Sequence, residues 1–169
     1  MIHGLEDRDV EQFHPGAVDR TRPFRLKLLN LTYNDPERWQ EVRRIAGDDI
    51  GFFKSIRLGG TGSPKAMLLE APPEATSFMQ ETVDRNHCNI EMRAQGLVLR
   101  FRCRQEVYGL VMSRGELLHI EAKPGAGEAL HITIEHKSGG RCVLESTGFN
   151  IAAWRTYLRK HLGNVLREP

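Results

Sequence analysis

The sequence predicts an α+β domain, mainly an antiparallel, curled sheet covered by a C-terminal amphipathic helix, and three observations point there. From residue 87 to 147 apolar residues recur at every second position over long stretches, the period of a half-buried strand. Turn-forming clusters interrupt that pattern at Gln95-Gly96, Ser113-Arg114-Gly115, residues 123–128 (KPGAGE) and Ser138-Gly139-Gly140, so the strands are short and sequential. The period then changes. Ile151, Trp154, Leu158 and Leu162 form one stripe of a helix.

Composition sets the bounds. A chain of 169 residues has about one domain's length and buries roughly 70% of its unfolded surface. Its 40% hydrophobic and 27% charged residues suit a folded domain and exclude a disordered chain. Because 24 Lys and Arg face 22 Asp and Glu, leaving +2, no global field favours nucleic acid or an anionic membrane. Any basic site is local. No apolar run reaches the length of a transmembrane segment, and the opening MIHGLEDRDVEQFH lacks the charge order and apolar block of a secretion signal. A cytoplasmic protein is expected. Cys88, Cys103 and Cys142 are odd in number without CxxC spacing, which predicts buried free thiols.

Residues 1–22 mix charges around His14-Pro15-Gly16 without a period, so a flexible N-terminal arm is expected before a single globular domain over 23–169. Within it, residues 23–86 read as a β-α-β-β extension. Phe24, Leu26 and Leu28 alternate with Arg25 and Lys27 in a first strand. Asn34-Asp35-Pro36 combines an N-cap acceptor with a proline suited to a first helical turn. In the helix that follows, Trp39, Val42 and Ile45 face inward, and Gly47 supplies the stop. Phe52 to Leu58 and Lys65 to Glu70 read as strands on either side of a Gly59–Pro64 turn. Its glycines suggest a phosphate loop, but no GxxxxGK with Ser or Thr and a helix follows. A further helix is expected over Glu74 to Asp84, with Phe78, Met79 and Val83 inward.

The clearest strands lie between His87 and Met112. Leu97, Leu99, Phe101 and Cys103 alternate with Val98, Arg100, Arg102 and Arg104, giving one apolar and one mostly cationic face. A Gln95-Gly96 connection sets Met92 opposite Leu99, Ile90 opposite Phe101, Cys88 opposite Cys103 and Glu91 opposite Arg100. Leu130, Ile132 and Ile134 continue the alternation. A Ser138–Gly140 loop then places Ile134 opposite Leu144 and His136 opposite Cys142, a pair too small for a metal site. The closing helix, Phe149 to Leu162, has Tyr157 beside its stripe and Arg155, Arg159, Lys160 and His161 in its last turns, where cations suit the helix dipole.

In this order the segments IEMRAQGLVLRFRCRQEVYGLVMSRGELLHIEA, LHITIEHKSGGRCVLEST and FNIAAWRTYLRKHL resemble the bacterial pleckstrin-homology-like (PH-like) domains, over about residues 87–163. The resemblance lies in the strand order, the central VYGLV, the Gly-containing last hairpin and the Trp-bearing helix. It implies a partly open barrel closed by that helix, on a scaffold whose relatives bind phosphoinositides, peptides or protein partners, or assemble. Lipid-binding relatives place basic residues in the loop between the first two strands. Here that loop is Ala94-Gln95-Gly96 with only Arg93 beside it, so phosphoinositide recognition is not expected.

No Ser-His-Asp elbow, metal-ligand cluster or dinucleotide glycine fingerprint is present, and the seven histidines are dispersed. The expectation is a non-catalytic binding or assembly module with no cofactor and no metal. It acts through a protein partner or self-association, since sheet edges invite pairing, and specific nucleic-acid binding is not expected. Candidate ligand-binding residues are Arg93, Arg100, Arg102 and Arg104, which suit a phosphate, an anionic headgroup or an acidic protein surface. Two further alternatives are a barrel around an apolar ligand and an enzyme of small molecules using His119 and His131 with Glu121 or Glu135.

Overall fold

A computed structural model describes residues 26–80 and 86–167. The expected arm at 1–22, the start of the first strand at 23–25, and Val83 and Asp84 lie outside the described residues. The elements are β1 (Lys27–Asn30), α1 (Pro36–Ala46), α2 (Phe52–Leu58), β2 (Ala66–Glu70), α3 (Pro73–Gln80), β3 (His87–Met92), β4 (Gly96–Cys103) and β5 (Glu106–Ser113). After a 3-10 turn at Arg114–Glu116 come β6 (Leu117–Pro124), β7 (Ala129–His136), β8 (Arg141–Thr147), α4 (Asn150–Leu162) and β9 (Leu166–Arg167).

The expected α+β class and mainly antiparallel sheet are present. One nine-stranded sheet runs β1-β5-β4-β3-β2-β8-β7-β6-β9, mixed because β9 pairs parallel with β6. It contains two meanders, β3–β4–β5 and β6–β7–β8, and β2 joins them by pairing with β3 and β8. β5 and β6 are six strand spacings apart along the sheet, about 29 Å if it were flat, yet three residues connect them. Such a linker reaches only about half that distance, so the sheet curls. It is not closed into a barrel. The 3-10 turn bridges the two ends: Arg114 N–H donates to Gln95 O at 2.8 Å and Lys137 N–H to Glu116 O at 2.8 Å.

The inner face is the core. Ile90, Leu97, Leu99 and Phe101 from one meander meet Ile120, Ile132, Ile134 and Leu144 from the other, together with Trp154, Leu158 and Leu162 of α4. The helical stripe thus faces inward as its period predicts. Trp154 Nε1–H donates to Lys65 O at 3.3 Å, and the buried Tyr157 hydroxyl donates to Thr61 O at 3.0 Å. Buried polar groups need such partners. Burial also pushes the Cys88 and Cys142 thiols up to about 12, and all three cysteines are buried thiols outside any disulfide.

α1 begins as its sequence dictates: the Asp35 carboxylate accepts from Glu37 N–H at 3.0 Å and Pro36 opens the first turn. Its apolar side lies on the opposite face of β4 and β5, where Val42, Ile45 and Ala46 enclose Val98 and Val111.

Three expectations are corrected. Phe52 to Leu58 is helix α2, because FFKSIRL does not alternate strictly and instead places Phe52, Phe53 and Ile56 on one helical face. The N-terminal region therefore runs β-α-α-β-α. Gly59 ends that helix in a left-handed conformation, so Gly59–Pro64 is no hairpin turn. It runs beside β3, with Met92 N–H donating to Thr61 O at 2.8 Å and Ser63 N–H to Ile90 O at 2.7 Å.

The register expectations are the second correction. In the first hairpin Ile90 lies opposite Leu99, Met92 opposite Leu97 and Cys88 opposite Phe101, two residues away from the pairing that the pattern suggested. The loop is Ala94-Gln95, closed by Arg93 N–H donating to Gly96 O at 2.9 Å. Gly96 belongs to the strand, paired with Ser113, and only glycine fits there because a Cβ would sit 2.1 Å from the Met112 carbonyl oxygen. In the last hairpin Ile134 faces Cys142 and Ile132 faces Leu144, again two residues away, and Gly139 rather than Gly140 takes the positive φ. The third correction concerns the single meander, which is in fact two, since β5 and β6 do not pair.

Candidate functional site

Where α1 ends its cover of β4, a cleft of about 430 Å³ opens between that helix and the outer face of the sheet. Asn34, Pro36, Trp39, Gln40 and Arg43 line one side, and Asp49, Glu91, Arg93 and Arg100 the other. Strand alternation brings Glu91 and Arg100 to this face, and the helical period carries Trp39 and Arg43 over it.

Two of the four candidate arginines meet here. Arg93, at the end of β3, is 3% exposed and already committed: its Nη1 donates to Asp49 and, at 3.0 Å, to Glu91, while its Nε points to Gly47 O at 3.4 Å. It clamps the segment after α1 onto the sheet. Arg100 Nη2 is 2.6 Å from the other Glu91 oxygen, diagonal to it across the strands rather than directly opposite. Its guanidinium lies 5.4 Å from the Trp39 ring centre, and that of Arg93 lies 5.9 Å from it, within cation–π range. Arg100 Nε is buried and has no hydrogen-bond partner among the described residues. Three guanidinium groups against two carboxylates leave the lining one positive charge in excess.

The other two arginines stand apart. Arg102 is exposed on β4 opposite Val107. Arg104 occupies the β4–β5 turn with φ of 55°, a conformation that L-residues seldom take. The stripe is therefore no continuous cationic face. Trp39 and Asp49, which complete the cleft, escaped sequence reasoning: Trp39 read as an ordinary core position, and nothing local marks Asp49 as Arg93's partner.

Nor do the histidines share a pocket. His131 pairs opposite Lys123 and His119 opposite Glu135, four strand positions apart, or about 13 Å. Each has its own carboxylate, His119 Nδ1 at 3.7 Å from Glu135 and His131 Nε2 at 2.9 Å from Glu145. Among the described residues no group of three or more His, Cys, Asp or Glu could hold a metal ion.

A second surface was missed outright. α2 starts three residues beyond Asp49 and buries none of its residues. Phe52, Phe53 and Ile56 are 73%, 85% and 61% exposed, with the two rings edge to face at 5.7 Å. Read as a strand, this segment concealed the shared helical face.

No protein-family model matches the chain, and neither a curated protein nor a solved structure matches it.

Proposed function

We propose that this chain is a non-catalytic, cytoplasmic binding module that seats an acidic side chain of a protein partner in the Trp39–Arg100 cleft. The observation that carries the reading is Arg100: stacked on Trp39, held by Glu91, and with a buried Nε–H lacking an acceptor. A buried donor without a partner costs free energy that an incoming carboxylate recovers. Arg43 stands at the rim, 57% exposed and only 3.9 Å from Asp48, and supplies a second cation. Trp and Arg together are the residues that dominate protein-interface energetics. On this reading the PH-like resemblance describes the scaffold, with α4 across the open side of a partly closed barrel. Its support is the sheet's curl and the burial of Trp154 and Leu158.

Trp39 reports on the site directly, because Trp154, the only other tryptophan, is fully buried. Titration with oligoglutamate peptides should change Trp39 fluorescence saturably, and the response should weaken with salt. R100S should abolish it and R102S should leave it intact. An equal response to inorganic phosphate would make the cleft a small-anion site instead. An unchanged response in R100S would end the proposal.

A further inference from the structure

We infer that α2 is an interfacial anchor that docks this domain on an anionic phospholipid bilayer. At about 100° per residue, Phe52, Ile56 and Phe53 fill a single arc, while Arg57 and then Lys54 follow along one flank of it. The half-buried Ser55 and Leu58 take the side toward the protein. Apolar face, cationic flank and protein-facing side follow one another around one short helix, the arrangement of an element lying in the headgroup region. Beyond its C-terminal end the Lys160 ammonium comes within 3.3 Å of where a Gly59 Cβ would stand, adding a third cation. Of the nearby acids, Asp49 is held by Arg93 and Asp48 lies 3.9 Å from Arg43, so these three cations face at most one loosely paired carboxylate.

Charge and size both select the occupant. A second copy docked through the same face would set Lys54 and Arg57 close to their own counterparts, which opposes a symmetric pair. The two phenylalanines offer about 300–500 Å² and Ile56 adds less than a further ring, which together stays short of the roughly 800 Å² per partner in a stable protein interface. A bilayer has no such minimum, because its surface charge adds attraction for each nearby Lys or Arg. No helix among the described residues is long and apolar enough to cross a membrane, so the contact is interfacial. The proposal is independent of what the Trp39 cleft holds.

The test is co-sedimentation of the full chain with vesicles of phosphatidylcholine containing roughly one third phosphatidylserine, and with pure phosphatidylcholine. The wild type should sediment with the anionic vesicles. F52S/F53S/I56S should weaken that partition by about tenfold or more, and K54S/R57S should remove the preference for anionic lipid. All five positions are exposed, and a circular-dichroism melt confirms that each variant is folded. An F53W variant should show a blue-shifted emission on anionic vesicles, quenched by brominated lipid. Absence of wild-type sedimentation, or equal partition of wild type and the triple variant, would overturn the inference. So would a wild-type dimer in sedimentation velocity that the triple variant loses, which would assign the face to a second copy.

Discussion

The β3–β4–β5 and β6–β7–β8 meanders bury the same kind of alternating inner face, yet their outer faces differ. On the first, Val98 and Val111 are fully buried beneath α1, and the cleft with Arg100 and Trp39 opens at the helix's edge. On the second, the outward positions include His119, Glu121, Thr133, Glu135, His131 and Glu145, all half-exposed, with the charged ones in the pairs His119–Glu135, Glu121–Lys123 and His131–Glu145, and a lone buried valine, Val143, opposite Thr133. Alternation decides which residues face the shared core. What gathers a second layer is a pair of branched apolar residues on the other face, Val98 opposite Val111, matched by a helix with a complementary stripe. Only where such a layer exists is there an edge that can form a cleft.

The largest effect should come from removing what both meanders share. Trp154 is fully buried in the cluster to which both contribute, so Trp154→Ala should cost about 3–5 kcal/mol. Hydrogen exchange on the variant should show both meanders losing protection together. Loss confined to one of them would mean that the curled sheet is not one cooperative unit.

Next is the difference between the outer faces. Val98→Ser removes packing against Val42 and Ile45 and buries a hydroxyl, which should lower stability by about 2–3 kcal/mol. The comparable outward change on the bare meander, Thr133→Ser, should stay within about 0.5 kcal/mol. Urea midpoints measure both. Equal costs would show that α1 does not cover its meander as described.

The parts of this fold that were legible in sequence are those whose signals are local. The Asp35-Pro36 start, the Gly47 stop and the α4 stripe each declare themselves within a few residues. Both hairpins were placed with the correct faces and a register two residues off, for one reason: a shift of two leaves a period of two unchanged. In the first hairpin a glycine was assigned to the loop when it belongs to the strand, and in the last the positive φ was assigned to Gly140 when Gly139 takes it. At Gly96, Met112 O and Ala46 leave no room for a Cβ, a constraint set by residues distant in sequence. The place of β2 between the meanders is equally non-local. At the site, Arg93 and Arg100 were found because adjacent strands bring them to one face. Trp39 and Asp49 were not, since only folding sets them beside those arginines.

The smallest predicted effect belongs to the bare meander's end, where His136 is 3% exposed. Its Nδ1 accepts from Ser138 N–H at 3.2 Å and lies 2.7 Å from the Ser138 hydroxyl, so the neutral ring carries its proton on Nε2. That nitrogen is buried with no hydrogen-bond partner among the described residues. Burial pushes the pKa below the usual 6.5 and Lys137 adds to that effect, while Glu116 and Glu74 oppose it. Below that pH the unfolded chain takes a proton that the folded chain refuses, so stability should fall as pH drops through about 6.5. Glu41, held near 2 by Arg44 and Lys27, does not contribute there, since it loses its ionised partnership only in far more acidic solution. Urea midpoints at about pH 7.5 and 5.5 should show the loss in the wild type and a smaller one in His136→Gln. His161, whose pKa burial also lowers, supplies the remainder from α4. If His136→Gln lost as much stability as the wild type, the acid sensitivity would lie in the shared core beneath α4 and not in the bare meander.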